Sequence, residues 1–226
     1  MPSHDEAAVE DFSELLFLYH TRKDPLERQK ILAKAQSIAQ SLSQLHRWPL
    51  DPNQFWDAEA LHWNLFISSS VRENIHRILL PYSTGVNLML GSGSQAYGIN
   101  TICVDFSIPM LMQCPSSLKI QYDLEANSLP FQSGSINAVF CIFLINYLRN
   151  LEGFLAAVKR VLAPKGSFVI INSDTLADYY LMQQAPRYDP AQVQNSLDRQ
   201  GFSVKNQTIS LDAHTLHVWS GKKNNP

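Results

Sequence analysis

The sequence has few of the features that mark secreted, zinc-bound or membrane-spanning proteins. Its 226 residues contain three cysteines, at positions 103, 114 and 141, and no Cys-x-x-Cys pair. This odd number without pairing argues against a disulfide framework and a zinc site. No apolar run approaches the ~18 residues of a membrane span, and the first residues are acidic, unlike a signal peptide. We therefore expect a soluble cytoplasmic protein with no metal and no membrane contact.

The chain also lacks a surplus of positive charge. It has 18 Lys and Arg against 20 Asp and Glu, for a formal net charge of -2. Proteins that bind nucleic acid usually carry a basic surplus or stripe, so no nucleic-acid partner is expected. The length and the hydrophobic content of 45% suit one domain with an appended layer, or two small domains. A homodimer is compatible with this composition.

The sequence of residues 1–80 predicts helices and no strands. We expect this part of the chain to form an N-terminal helical cap. Apolar residues recur at three-to-four spacing between Asp5 and His20. The pairs Asp24-Pro25 and Asp51-Pro52 each combine an N-cap aspartate with proline at the first helical position. Three tryptophans in the cap are most simply core residues. The functional alternative is the wall or lid of a small-molecule site, with His62 reaching in as a weak catalytic candidate.

From residue 81 to 226 short β-rich runs alternate with helical segments, which predicts a parallel sheet covered on both faces. The last two runs are joined by a turn too short for a crossover, so they must pair antiparallel. The predicted fold is α/β and Rossmann-like. We expect strands over residues 86–90, 101–104, 118–122, 137–143, 167–171, 202–209 and 214–220.

The stretch from Val86 to Asp105 carries the first sign of a ligand site. An apolar run leads into Gly91-Ser92-Gly93, and a second apolar run ends at Asp105. A glycine turn and an acid at the ends of neighbouring parallel strands are typical of a nucleotide-type ligand, with the acid on ribose hydroxyls. Gly91 and Asp105 are 105 − 91 = 14 positions apart, however, whereas the usual separation is roughly 20 residues. The helix between the two strands must therefore be very short or missing.

Four later segments follow motif-like patterns. Residues 104–111 read VDFSIPML and residues 125–131 read EANSLPF. Residues 133–139 read SGSINAV and residues 151–171 read LEGFLAAVKRVLAPKGSFVII. In order and approximate spacing they resemble the segments D-x-S-x-x-M-L, D-A-x-x-L-P-F, d-g-S-F-D-x-V and F-L-x-E-x-x-R-V-L-K-P-G-G-x-x-x-I of class I S-adenosylmethionine-dependent methyltransferases. The resemblance is closest to the small-molecule branch that includes quinone-biosynthesis enzymes. The resemblance implies a seven-stranded, mostly parallel sheet with an antiparallel last strand, S-adenosylmethionine as cofactor and a small-molecule acceptor.

The resemblance also assigns cofactor-binding residues. Gly91 and Gly93 would line the methionine moiety, and Asp105 would hold the ribose, with Phe106 beside the adenine. Glu125 would hold the adenine amino group, with the Ala126 backbone beside the ring, and Asp123 is a rival for the acid's role. The end of the fourth strand, from Cys141 to Phe143, would face the methyl donor. No metal is implied.

The sequence departs from the family pattern at four positions. Met89 stands where the family usually has an acid in strand one, and Gln95 replaces the third glycine. Asn137 replaces an aspartate, and Lys165 replaces the first glycine of the usual pair. Because the acid in strand one neutralises the ligand's ammonium, its loss predicts weaker binding of S-adenosylmethionine, by ~1–3 kcal/mol.

No residue is singled out as the catalytic group. Methyl transfer mainly requires alignment in a dry pocket, and a base is needed only when the acceptor must lose a proton early. Weak candidates at the expected carboxyl edge are Tyr147 and Asp174, with Asn146 and Tyr179 beside them. Each also has a structural interpretation, such as Asp174 capping a helix predicted over residues 175–182. His214 and His217 are interpreted as surface or edge residues.

Two other functions remain open at this point. Residues 91–96 satisfy G-x-G-x-x-A, which a nicotinamide oxidoreductase would also show, although the four later segments argue against it. The second alternative is a methyltransferase-like binding or scaffold protein that has lost catalysis, which the four departures favour.

Overall fold

The computed structural model describes residues 4–126, 128–174, 184–211 and 214–223. The chain divides into two compact units, Met1–Phe66 and Ile67–Pro226. The sequence analysis placed the boundary at residue 80 instead. The helix over residues 69–79 falls in the second unit, where His76 Nδ1 is 2.7 Å from the carbonyl oxygen of Tyr97.

The first unit is helical, with α1 (His4–Thr21), α2 (Pro25–Ser41), α3 (Pro52–Glu59) and the single turn α4 (Trp63–Phe66). Both predicted Asp-Pro starts are confirmed, because Asp24 accepts backbone N–H groups at the start of α2 and Asp51 does so at the start of α3. Several aromatic side chains of this unit contact each other, and Trp56 and Trp63 do so edge to face at 5.3 Å between ring centroids.

The second unit is an α/β fold built on one seven-stranded sheet, as predicted. Its strands lie in the order β3-β2-β1-β4-β5-β7-β6. All neighbouring pairs are parallel except those of β7, which runs antiparallel between β5 and β6. The strands are β1 (Asn87–Leu90), β2 (Thr101–Asp105), β3 (Lys119–Gln121), β4 (Ile136–Ile142), β5 (Leu162–Ser173), β6 (Phe202–Leu211) and β7 (His214–Lys223).

Four helices of this unit are described: α5 (Ser69–Leu79), α6 (Ile108–Gln113), α7 (Leu151–Val161) and α8 (Pro190–Arg199). Apolar side chains of α7 and α8, such as Leu155 and Leu197, join Leu88 and Leu90 of β1 in one buried cluster. Met89 and Phe140, which alternate with residues of that cluster along their strands, are also fully buried. The central strands are therefore buried on both faces, as expected for a parallel sheet.

The connection from β1 to β2 is short and contains no helix. Residues 91–100 form only turns and bends, in agreement with the spacing of the glycine turn and the acid. Its backbone packs closely on the sheet, since a Cβ atom on Gly98 would lie 2.8 Å from the ring of Phe140. The crossover thus occupies the place next to β1 that a helix takes in an ordinary βαβ unit.

β5 differs more in length from its predicted range than any other strand. β5 begins at Leu162, directly after α7, rather than at residue 167. The pairing of β4 with β5 shifts register between Ile136 and Ala138, and Lys165 has a φ of 61°. The sequence Pro-Lys-Gly at residues 164–166, which is typical of a turn, therefore lies inside β5. The strand accommodates it through this irregularity in its pairing with β4.

Phe140 gives a test of the central sheet. Because its side chain is fully buried, Phe140→Ala should lower the free energy of unfolding by about 3–5 kcal/mol, measured by urea denaturation. Leu118→Ala, at a side chain that is 56% exposed, is the control and should change it by less than about 0.5 kcal/mol. Equal effects of the two substitutions would contradict the described packing.

Candidate functional site at the carboxyl edge of the sheet

The carboxylate of Asp105 joins the glycine turn to the end of β2. Its Oδ2 accepts the N–H of Gly93 at 2.8 Å, and its Oδ1 accepts the N–H of Ser107 at 2.9 Å. The Ser107 hydroxyl in turn accepts the N–H of Met110 and caps α6. The predicted glycine floor and acid are therefore brought together, at the edge where β1 and β2 end.

Both glycines of the turn have a left-handed backbone, with φ of 61° at Gly91 and 54° at Gly93. A Cβ atom on Gly91 would lie 2.6 Å from Cδ1 of Leu144, in the segment after β4. The turn thus needs glycine at position 91 both for its backbone conformation and for the close approach of the β4 segment.

Met89 and Tyr97, which precede and follow the glycine turn in the sequence, are both buried. Met89 is fully buried and lies in register between Cys103 of β2 and Phe140 of β4. Tyr97 is buried in the crossover, where burial raises the pKa of its hydroxyl against an opposing effect of Arg72. The place of the family's strand-one acid is therefore part of an apolar core in this chain.

The predicted adenine residues lie on the loops after β2 and β3. Phe106 is half-buried and directly follows Asp105, and its carbonyl accepts Nε2 of Gln121 at 3.1 Å. Glu125 accepts the N–H of Arg149 at 3.0 Å and so connects this region to the segment after β4. The resemblance places the Ala126 backbone beside the adenine ring, and in the structure the Ala126 N–H donates to the carbonyl of Asp123 at 3.1 Å.

The rival acid Asp123 has a local backbone role. Its Oδ1 accepts the N–H of Glu125 at 2.9 Å, which is an Asx-type turn. Glu125 and Asp123 therefore both have backbone partners, and the geometry leaves the choice between them open.

The end of β4 is less exposed than the sequence suggested. Cys141 is buried within the cluster that contains α7 and α8, and this burial raises the pKa of its thiol. Phe143 is 6% exposed, with a φ of 56°, and its N–H donates to the carbonyl of Ile171 at 2.7 Å. Cys141 contacts the core through its side chain, so only its backbone can take part in a site at this edge.

Asn146, beside the candidate Tyr147, ties two loops of the edge together. Its side-chain oxygen accepts the N–H of Tyr188 at 2.9 Å, and the Tyr188 hydroxyl donates to the carbonyl of Leu148 at 2.9 Å. Burial raises the pKa of the Tyr188 hydroxyl. Tyr147 itself is half-buried in the short 3-10 turn after β4. The segment before α8 is thereby fastened to the end of β4.

Asp174 contacts a residue that the sequence analysis interpreted as an edge residue. Its Oδ2 lies 2.8 Å from Nε2 of His217 on β7. The helix predicted over residues 175–182, with Tyr179, lies outside the described residues. The sequence predicted a strand over residues 214–220 that contains His217. Predicting its contact with Asp174 would also have required the antiparallel register of this strand, which the spacing of residues in the sequence does not define.

His62 belongs to the helical first unit. Its Nε2 lies 3.1 Å from the Ser13 hydroxyl and 2.9 Å from the Ser13 carbonyl oxygen. Its ring is 5.9 Å from that of Phe17. These contacts give His62 a structural role within its own unit.

Three further findings on the described residues concern metal ligands, membrane-spanning helices and cysteines. Among them, no group of three or more His, Cys, Asp or Glu side chains could hold a metal ion. The helices that the structure describes include none that is both long and apolar enough to cross a membrane. All three cysteines are buried and free.

Comparisons with known proteins identify the class of fold. Residues 84–170, less than half of the chain, match the family model described as a methyltransferase domain. The Haemonchus contortus phosphoethanolamine N-methyltransferase 2 is similar over 78% of this chain and 60% of its own, with 14% identity and a TM-score of 0.62. No match was found among curated protein sequences.

Two bacterial and archaeal methyltransferases show the same likeness over most of their own lengths. A S-adenosylmethionine-dependent methyltransferase of Archaeoglobus fulgidus matches with 16% identity over 72% of this chain and all of its own, with a TM-score of 0.59. One from Mesorhizobium loti matches with 15% identity over 66% of this chain and 96% of its own, with a TM-score of 0.53. The second unit therefore has the Rossmann-like fold of class I methyltransferases. At such identities the likeness defines the fold, and this chain spans about 60% of the Haemonchus enzyme.

Gly91 gives a test of the glycine turn. Gly91→Ala should destabilise the protein by about 1–2 kcal/mol through its left-handed backbone and by a further ~1–3 kcal/mol through overlap with Leu144. Gly134→Ala is the matched control, because Gly134 has a φ of 72° with no atom within 4 Å of the added Cβ. Urea denaturation measures both.

A double-mutant cycle separates the two contributions. Adding Leu144→Ala to Gly91→Ala should recover most of the overlap cost, so that the two substitutions are not additive. Full additivity would show that the turn does not contact Leu144 as described.

Proposed function

We propose that the second unit binds S-adenosylmethionine at the glycine turn and transfers its methyl group to oxygen, nitrogen or carbon of a small-molecule acceptor. The observation that carries this proposal is the Asp105 carboxylate at the ends of β1 and β2, in contact with the Gly93 N–H. In open parallel sheets this is the place where the ribose of a nucleotide-type ligand is held.

The residues present fit the adenosyl part of this cofactor. The Asp105 carboxylate lies at the end of β2, where it accepts the N–H groups of Gly93 and Ser107. A carboxylate at this place in an open parallel sheet can accept the hydroxyls of a ribose. The half-buried ring of Phe106 follows Asp105 directly and is available to pack on the adenine. When bound, the cofactor supplies an electrophilic methyl group on a sulfonium.

The chain's own residues then position the reactants and limit access of water. Asp105 orients the ribose, and the Gly91 turn lets the backbone approach the methionine part. The Asn146 and Tyr188 hydrogen bonds hold the loops after β4 and before α8 in place beside the acceptor. Alignment of this kind is the main requirement for an in-line methyl transfer.

Other findings support the enzyme class and a small acceptor. The Haemonchus enzyme is solved with S-adenosylhomocysteine and phosphomonomethylethanolamine. The four sequence segments resemble the branch that includes quinone-biosynthesis methyltransferases. In keeping with the sequence analysis, we place the protein in the cytoplasm.

A second candidate function is a methyltransferase-like binding or scaffold protein without catalysis. The specific observation in its favour is that Met89 is fully buried in the apolar core where the family has an acid. The crossover without a helix adds to it, because a helix N-terminus normally supplies N–H groups to the ligand.

Calorimetric titration distinguishes the two functions. We expect S-adenosylmethionine and S-adenosylhomocysteine to bind, with dissociation constants weaker than low micromolar because no carboxylate at position 89 pairs with the ammonium. Asp105→Ala should abolish binding, whereas Asp198→Ala, at an exposed aspartate of α8, should leave it unchanged. Absence of binding of both ligands at millimolar concentration would favour the scaffold function.

A second pair of variants decides which acid recognises adenine. If Glu125 holds the adenine amino group, Glu125→Gln should weaken binding of S-adenosylhomocysteine by ~1–2 kcal/mol, and Asp123→Asn should have a smaller effect. The reverse order in calorimetry would transfer the assignment to Asp123.

A further inference from the structure

The pair formed by Asp174 and His217 lies at the carboxyl end of the sheet, on the other side of β4 from the glycine turn. His217 is in register with Asn172 of β5 and with Thr208 of β6. Its Nε2 is 2.8 Å from Oδ2 of Asp174, the residue that directly follows β5. The pair therefore spans the ends of β5 and β7.

The hydrogen-bond directions at His217 form a defined row. A carboxylate can only accept, so Nε2 carries the proton that it donates to Asp174. In the neutral ring Nδ1 is then an acceptor, and the Thr208 hydroxyl lies 3.4 Å from it. The row runs from Thr208 through His217 to Asp174.

The two ends of this row differ in exposure. The side chain of His217 is 17% exposed, and that of Asp174 is 59% exposed. The ring of His217 also packs near that of Trp219, at 6.1 Å between centroids. The imidazole of His217 is thus fixed by its neighbours, whereas the carboxylate of Asp174 is exposed enough for a ligand to contact.

The position of Asp174 matches the acceptor side of the proposed reaction. In the sheet order β2-β1-β4-β5, the ends of β1 and β5 are two strand spacings apart, or about 10 Å. Asp105 marks the ribose side of β1, and Asp174 lies beyond β4 in the opposite direction. A small molecule that meets the methyl group from that side would reach the Asp174 carboxylate.

We propose that Asp174 contacts the nucleophilic group of the acceptor, with His217 as its positioning residue, and that the acceptor is an amine or hydroxyl compound rather than a carboxylate. This inference rests on the proposed methyl transfer. An N–H or O–H nucleophile donates to Asp174, whereas an anionic acceptor is repelled by it. The acceptor's lone pair forms the bond to the methyl carbon, the carbon–sulfur bond breaks with its electron pair on sulfur, and the acceptor's proton passes to Asp174.

The first test determines which ring nitrogen of His217 carries the proton in the protein without any ligand. Nitrogen-15 NMR of the histidine rings, assigned with His217→Gln, should show His217 protonated at Nε2 and unprotonated at Nδ1 when the ring is neutral. Protonation at Nδ1 instead would overturn the proposed row of hydrogen bonds.

The second test measures binding with two probes of similar size and opposite charge, tyramine, which carries N–H and O–H donors, and phenylacetate, which carries neither. Amide shifts at Ser173 and Asp174 should show tyramine binding about tenfold more tightly, the size expected for a charged hydrogen bond. Asp174→Asn should remove this preference. His217→Gln, which keeps a donor near the Nε2 position, should retain more of it than His217→Leu.

Controls separate this inference from the proposed function. Asp198→Asn, at the exposed aspartate of α8, should keep the preference for tyramine unchanged. Equal binding of the two probes to the unmodified protein would overturn the role of Asp174, even where S-adenosylhomocysteine binds in calorimetry. Loss of S-adenosylhomocysteine binding with the tyramine preference intact would overturn the methyl transfer instead.

Discussion

The backbone hydrogen bonds of Asp105 are the interaction on which the edge of this sheet depends. A carboxylate that is 7% exposed is costly to bury unless donors surround it, and here two backbone N–H groups do so. One donor belongs to the glycine turn after β1 and the other to the residue that caps α6. A single side chain thus fixes two loops relative to the end of β2, and the same atoms face the region where the ribose is expected. The structural role of Asp105 and the binding role that we propose for it therefore fall on the same carboxylate.

The sheet and its order of elements could be predicted from the sequence because the signals are local. Alternation of β-rich runs with helical segments indicated the parallel sheet, and the short turn near residue 212 indicated the antiparallel pair. The missing helix between β1 and β2 followed from spacing alone, because ten residues cannot form both a helix and its two connections. The Asp-Pro starts of α2 and α3 are correct for the same reason, since an N-cap acts on the next three residues.

The parts of the site that escaped prediction depend on contacts between distant segments. The pair of Asp174 with His217 requires the register of β5 with β7, which side-chain periodicity does not define. The Glu125 contact with the Arg149 N–H joins loops after two different strands. Cys141 was expected to face the methyl donor, but alternation along β4 directs its side chain into the core with Leu90, its partner in register. The sequence pattern predicts that a residue lies on a strand. Whether its side chain faces the core or a site depends on the segments that pack on that strand.

The helix-free crossover also has a consequence for how the chain folds. Two parallel strands can usually pair only after the long segment between them has formed a loop that brings them together. Forming this loop is slow because it costs conformational entropy. Residues 91–100 form a loop about half as long as the usual connection between parallel strands. Its shorter length lowers the entropic cost of loop closure by ~0.6 kcal/mol. The pairing of β1 with β2 is therefore the most local parallel contact among the described strands. In this chain the turn that we propose as ligand-binding and a favourable starting point for sheet assembly are the same ten residues.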